Sequence, residues 1–241
     1  MTNKNIPRLL INKELKDNST IELNKSDKHY LKVVLRLKQG DVVNIFNGKD
    51  GEWEFIINNN KQFNLISKKK IRNQKKLNGP TLYFALIKNH NLRWMIEKAT
   101  ELGVKKFYPL ITDRTNNKKF NEKKAFLHIK EACEVSGRIT VPSLEKITNL
   151  KKILEQTKKN SDTVIFCNEN RKDDFLHNYL LKNINKKISF LVGPEGGFSL
   201  SEESFIKSYN HVISVKLFDR VIRAETASIL ALSVFQSLKE R

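Results

Sequence analysis

The chain has 241 residues, with 45 Lys+Arg against 26 Asp+Glu and a formal net charge of +19. That length supports one large core or two modest ones, and 39% hydrophobic with 29% charged residues is the composition of a folded chain rather than a disordered one. No apolar run reaches the roughly 18–20 residues of a membrane span. Residues 1–7 lack the apolar centre of a secretion signal. Two cysteines, Cys133 and Cys167, are too few for a disulfide framework and have no metal spacing. The expectation is a reduced, cytoplasmic protein with no metal.

Lysine supplies 35 of the 45 cations, and asparagine is also abundant. That pairing is typical of AT-rich coding, so part of the charge reflects composition alone. Even so, +19 favours a polyanionic partner, because each phosphate contact releases counterions. The ten arginines are more informative. Arg36, Arg114, Arg138, Arg220 and Arg223 sit inside local motifs, and arginine offers a planar fork that lysine cannot copy.

The chain reads as two domains, residues 1–76 and 77–241. In the first, short alternating or apolar runs at 8–11, 20–23, 41–46, 52–57 and 62–66 predict five strands. Asn47-Gly48 and Asp50-Gly51 are turn signals. One helix interrupts the strands, with Ser26 as N-cap and an apolar stripe of Tyr30, Leu31, Val34 and Leu35. Five strands and one helix suggest a small β-barrel. It carries 17 cations and 8 anions, and so is more densely positive than the rest. The basic run Lys68-Lys69-Lys70, Arg72, Lys75-Lys76 leads into Asn78-Gly79-Pro80. A solvated linker and a direct RNA contact are both open readings for it.

From Thr81 strands and helices alternate. Strands are predicted at 82–87, 106–111, 163–167, 188–192 and 211–217. Leu92, Met95, Ile96, Ala99 and Leu102 mark a helix closed by Gly103. Ala125, Phe126, Ile129, Ala132 and Cys133 mark another, and residues 225–239 a last, very apolar one. This order implies an α/β domain with a mainly parallel sheet.

Two segments carry chemistry. The first is Leu191-Val192-Gly193-Pro194-Glu195-Gly196-Gly197, directly after a buried strand. Open parallel sheets bind ligands at that edge, and glycines there let backbone approach a ligand. The same residues could form only a tight turn, and they are neither GxGxxG nor a P-loop. The second is Leu217-Phe218-Asp219-Arg220-Val221-Ile222-Arg223-Ala224-Glu225-Thr226-Ala227. Glu225 suits the helix N-terminal dipole. Arg220 and Arg223 do not, so they point to an anion, a carbonyl or RNA.

These segments in this order resemble the SPOUT class of RNA methyltransferases. Within it the resemblance is closest to the RsmE family, the 16S ribosomal RNA uridine-N3 methyltransferases. It covers nearly the whole chain. Ala85-Leu86-Ile87-Lys88, Glu97-Lys98-Ala99-Thr100-Glu101-Leu102-Gly103-Val104, Pro109 and Arg114 look like the family's central block. Glu131-Ala132, Ser136-Gly137-Arg138 and Val141-Pro142 look like its next block. His29, Val34-Leu35-Arg36, Gly40-Asp41 and Asn47-Gly48 look like its PUA-like N-terminal barrel. This chain has Val135 where the family usually has Gln, and Phe218 where it usually has Gly.

The resemblance implies a C-terminal SPOUT α/β domain with a trefoil knot, a homodimer, and S-adenosylmethionine (SAM) as cofactor. The cofactor would lie against Leu191, Val192, Gly193, Pro194, Glu195, Gly196 and Gly197, against Leu217, Phe218, Val221, Arg223 and Thr226, and against Cys167, Asn168 and Glu169. Arg8, His29, Arg36, Lys88, Arg114 and Arg138 would contact 16S ribosomal RNA. Arg138, Arg220, Arg223 and Glu225 would form the catalytic set. The arginines would hold anionic groups. Glu195 or Glu225 would accept the N3 proton, or Glu195 would orient the cofactor. Other SPOUT reactions, such as ribose 2′-O-methylation of transfer RNA, and a non-catalytic RNA-binding ribosome-assembly factor are the alternatives.

Overall fold

The computed structural model describes residues 6–58, 62–169 and 172–239. They form two compact units. One takes in the chain up to Leu77 together with Lys130–Val141, and the other takes in Asn78–Ile129 and Pro142–Arg241.

The first unit is a curled five-stranded sheet. Its strands are β1 (Arg8–Leu10), β2 (Thr20–Ile21), β3 (Val42–Phe46), β4 (Glu52–Ile57) and β5 (Leu65–Arg72), in the order β1-β3-β4-β5-β2. Only β1 and β3 are parallel. Alternation sends Leu9, Val43, Ile45, Phe55, Ile57 and Leu65 into one core with Leu31. Leu31 comes from the predicted helix, which is a short α1 (Lys25–His29) followed by a π-helical turn (Tyr30–Val34). Its N-cap is Asn24, two residues earlier than the expected Ser26, and the Asn24 side chain accepts from the Asp27 amide. Strand β5 runs three residues later at its start and six later at its end than the sequence suggested. Lys68-Lys69-Lys70 is therefore exposed strand, not linker. Pairing with β4 carries the backbone through the lysines although their side chains have no apolar pattern.

Lys130–Val141 joins this unit through Arg8. Its guanidinium donates to the carbonyls of Cys133 (2.7 Å), Glu134 (2.9 Å) and Arg138 (3.0 Å), and its Nε pairs with buried Glu52 at 2.6 Å. Arg72 holds the other Glu52 oxygen and the Gly137 carbonyl. Glu134 accepts from the Leu10 amide at 2.9 Å, and burial pushes its carboxyl up to about 7.

The second unit is a six-stranded parallel sheet. Its strands are β6 (Thr81–Ala85), β7 (Lys106–Leu110), β8 (Ser143–Leu144), β9 (Thr163–Cys167), β10 (Ile188–Val192) and β11 (Val212–Val215), in the order β11-β9-β10-β6-β7-β8. Between them lie α2 (Asn89–Glu101), α3 (Glu122–Val135), α4 (Leu150–Lys159), α5 (Leu176–Asn183) and α6 (Leu200–Lys207), with α7 (Ala224–Lys239) last. Every residue of β6 and β10 is buried, as expected of central strands covered on both faces. One face packs Tyr83, Val164, Phe166 and Leu191 against Ile153, Leu154 and Ile206 from α4 and α6. Helix α7 lies against β10 and α2, with Phe190 and Phe235 edge-to-face at 6.0 Å. Phe126, read from its spacing as part of an apolar helix face, is 45% exposed. No helix among the described residues is long and apolar enough to cross a membrane.

Candidate cofactor cleft

The C-terminal ends of parallel strands all point to one sheet edge, and the loops leaving β6, β7, β9, β10 and β11 there enclose a cleft of about 700 Å³. This is the position at which open α/β sheets take ligands. Its buried lining includes Phe166, Val192, Pro194, Phe198, Ala224 and Ala227. Its exposed lining includes charged residues, with Lys88, Arg114, Arg220 and Arg223 against Glu169 and Glu195.

The β10 loop is shaped by two glycines. Gly197 has φ +67°, the left-handed region, and its amide closes a turn onto the Pro194 carbonyl at 3.0 Å. Gly193 is required by contact. A Cβ there would lie 2.8 Å from the Phe198 ring, which packs edge-to-face on Phe166 at 5.3 Å.

Neighbouring loops hold this one by side-chain bonds. Glu195 Oε1 accepts the Lys88 amide at 2.9 Å. Lys88 is the N-cap of α2 and offers no side-chain cap of its own, so the Glu195 carboxylate stands at that helix N-terminus, where negative charge is favoured. Arg114 Nη1 donates to the Gly196 carbonyl at 3.0 Å. The Asp113 amide donates to Glu202, and Ser199 Oγ donates to Asp113 at 2.5 Å. Ser199 and Glu202 form the capping box of α6.

On the β9 side, the Asn168 amide donates to the Val215 carbonyl, and its side chain reaches Ser214 and Asp173. Burial pushes the Cys167 thiol up to about 12, so it lines the cleft as a neutral group. In the loop after β11, the Arg220 guanidinium lies 4.8 Å from the centre of the exposed Phe218 ring. Arg223 opens α7 by accepting the Ala227 amide on its carbonyl at 2.8 Å.

The fold thus gathers most of the residues read from the sequence. Cys167, Asn168, Glu169, Val192, Gly193, Pro194, Glu195, Gly196, Gly197, Leu217, Phe218, Arg220, Val221 and Arg223 all line one cleft, as do Lys88 and Arg114. Three others do not. Leu191 is fully buried inside β10, and Thr226 projects from the exposed side of α7. Glu225 is 3% exposed in the first turn of α7, and its Oε2 has no hydrogen-bond partner among the described residues. The expected RNA contacts Arg8, His29, Arg36 and Arg138 belong to the first unit. His29 and Arg36 are exposed there, and Arg36 has φ +55°. Arg8 is the correction. Its side chain is 12% exposed, and its donors are taken by Glu52 and three carbonyls. Arg138 bonds Thr140 and is largely desolvated. Sequence reasoning missed His90, Asn91, Asn116 and Asn117, which also line the cleft. Their one signal is position, just after β6 and β7.

The RNA methyltransferase domain model matches residues 74–236, and the RNA methyltransferase PUA domain model matches residues 23–66. The chain is 37% identical over 235 residues to ribosomal RNA small subunit methyltransferase E of Rickettsia conorii, covering 94% of this chain and 93% of that protein. The chain belongs to the RsmE family. The Buchnera aphidicola subsp. Schizaphis graminum member is 34% identical, covering 97% of this chain and 96% of its own. An RsmE crystal structure from Neisseria gonorrhoeae, bound to S-adenosyl methionine, superposes with a TM-score of 0.83 at 25% identity, covering 97% and 98% of the two chains.

The cleft fits that cofactor by its own chemistry. It has an apolar floor for a purine ring and backbone groups of a glycine loop to read the ring edge. It also has both cationic and anionic side chains for an amino-acid moiety.

Proposed function

We propose that the protein transfers a methyl group from SAM to N3 of a uridine in 16S ribosomal RNA of the small subunit, working as a cytoplasmic homodimer. The observation that carries this reading is the convergence of the two motif loops on one strand-edge cleft in a chain that matches an RsmE protein over 93% of that protein's length. The knotted path of the chain through these loops belongs to the same reading.

SAM supplies a methyl group on a positively charged sulfur, transferable by in-line displacement without a metal or covalent enzyme intermediate. The loop of Gly193 to Gly197, with Asn168 and Leu217 opposite, would hold it. Uridine N3 attacks only after losing its weakly acidic proton, here to solvent at the open rim, and the resulting charge spreads onto the flanking carbonyl oxygens. Arg220 and Arg223 at the exposed rim are assigned to stabilise those oxygens. Glu195 is assigned to holding the loop, because one of its oxygens is already engaged by the Lys88 amide. Glu225 is withdrawn as the proton acceptor, since it is buried in α7 and does not line the cleft.

The test is a transfer assay with labelled SAM on unmodified small subunits and, separately, bulk transfer RNA, followed by primer extension. An N3-methyl group blocks the Watson–Crick edge. A single new stop at a uridine in the subunit RNA is the expected result. Label on transfer RNA without a stop, or no label from folded protein, overturns the reading.

A further inference from the structure

The loop after β11 presents an aromatic ring outward instead of into the core. Phe218 is 44% exposed and Val221 64% exposed, and both line the cleft. An exposed phenylalanine on a charged rim costs solvation. What sits on it is a cation, the Arg220 guanidinium 4.8 Å from the ring centre. An exposed aromatic ring with an arginine plane beside it is the arrangement that stacks unpaired nucleobases.

The geometry points to Phe218 and Arg220 as a stacking platform for a nucleobase of the single-stranded RNA substrate, a specificity element at the mouth of the cleft. This rests on the RNA methylation proposed above and adds a residue that reads the strand. Two observations favour an RNA base over the adenine of the cofactor. First, the buried apolar surface suited to adenine lies at Val192, Phe198 and Ala227, whereas Asp219, Arg220 and Val221 beside Phe218 are all exposed. Second, the rim around Phe218 carries Lys88, Arg114 and Arg223 as well as Arg220. Those cations suit the phosphates that flank a stacked base.

The experiment uses the full chain with unmodified small subunits. F218L should raise KM for subunits about ten-fold, the loss of one base–aromatic stack. F218Y and F218W should restore KM. Calorimetric SAM affinity should be the same in all three variants. The salt dependence separates stacking from charge. F218L should keep the wild-type slope of log affinity against log salt, whereas R220Q should lower it by about 0.7. An unchanged KM in F218L overturns the platform. So does weakened SAM binding, which would place the ring on the cofactor, or altered self-association, which would place it in a protein interface. If the wild-type protein transfers no label, the methylation reading fails and the platform with it. If the wild type transfers and F218L matches it, only the platform fails.

Discussion

Gly193→Ala tests the shape of the cofactor loop directly. The added Cβ would sit 2.8 Å from Phe198 Cε2 and 3.0 Å from Cδ2. That is about 0.5–1.2 Å inside an ordinary carbon–carbon contact of ~3.5–4.0 Å. Phe198 cannot simply retreat, because it is 6% exposed and packs on Phe166, Tyr83 and Leu191 in the close-packed core beneath the cleft. Overpacking of this size costs about 1–3 kcal/mol. Much of that strain should be relieved by displacing the loop, which is the less buried partner, and so should appear as weaker binding. The expected loss of SAM affinity is about ten-fold, since ~1.4 kcal/mol corresponds to a factor of ten. Calorimetric titration measures it, with urea unfolding in parallel to report the remaining strain. Phe198→Leu removes the ring atoms nearest the new Cβ, so the double variant should recover part of the lost affinity although F198L alone lowers stability. Wild-type SAM affinity in G193A, or a double variant that binds no better than G193A, would refute the argument.

Three further outcomes follow from the structure. Arg8→Met strands the Glu52 carboxylate, 1% exposed, with one remaining partner and leaves three carbonyls without their donor. Breaking such a buried pair should cost about 3–5 kcal/mol. Fluorescence of buried Trp53 in a W94F background reports it, and a cost under about 1 kcal/mol would contradict the assigned role. Glu134 has a folded-state pKa raised from 4.5 to about 7 by burial, so the folded chain binds more protons than the unfolded chain between those values. Its contribution is full below about pH 4.5 and is lost as pH rises through about 7, by up to ~3 kcal/mol. Glu134→Gln keeps an acceptor for the Leu10 amide, so it should be more stable than wild type at pH 8 and lose that slope; a less stable E134Q would rule this out. Arg223→Ala should slow methyl transfer by about a hundred-fold while the fold is retained, as for loss of a charge-stabilising donor. Unchanged turnover would remove Arg223 from the catalytic set.

Much of the molecule is legible in the sequence because its signals are local. Strand–helix alternation after Thr81, the glycine loop at a strand end and the Arg220–Arg223 segment each depend on neighbours within about ten residues. Strand β10 directs Gly193–Gly197 to the sheet edge, and parallel strands bring the other loops to the same edge. The family itself is readable from the order of those motifs.

Contacts between residues far apart in sequence needed the tertiary structure. Glu195 reads as a proton acceptor or a cofactor-orienting group until the fold brings the Lys88 amide, 107 positions away, to 2.9 Å. Arg8 reads as an RNA contact until carbonyls 125 to 130 positions away absorb its fork. Lys68-Lys69-Lys70 does not read as strand because pairing with β4 leaves no trace in side chains that face solvent. Local periodicity and turn chemistry determine which elements form and which loops meet at the sheet edge. Hydrogen bonds form between residues far apart in sequence, and for that reason only the folded structure decides which charges are spent on the scaffold and which remain for the ligand.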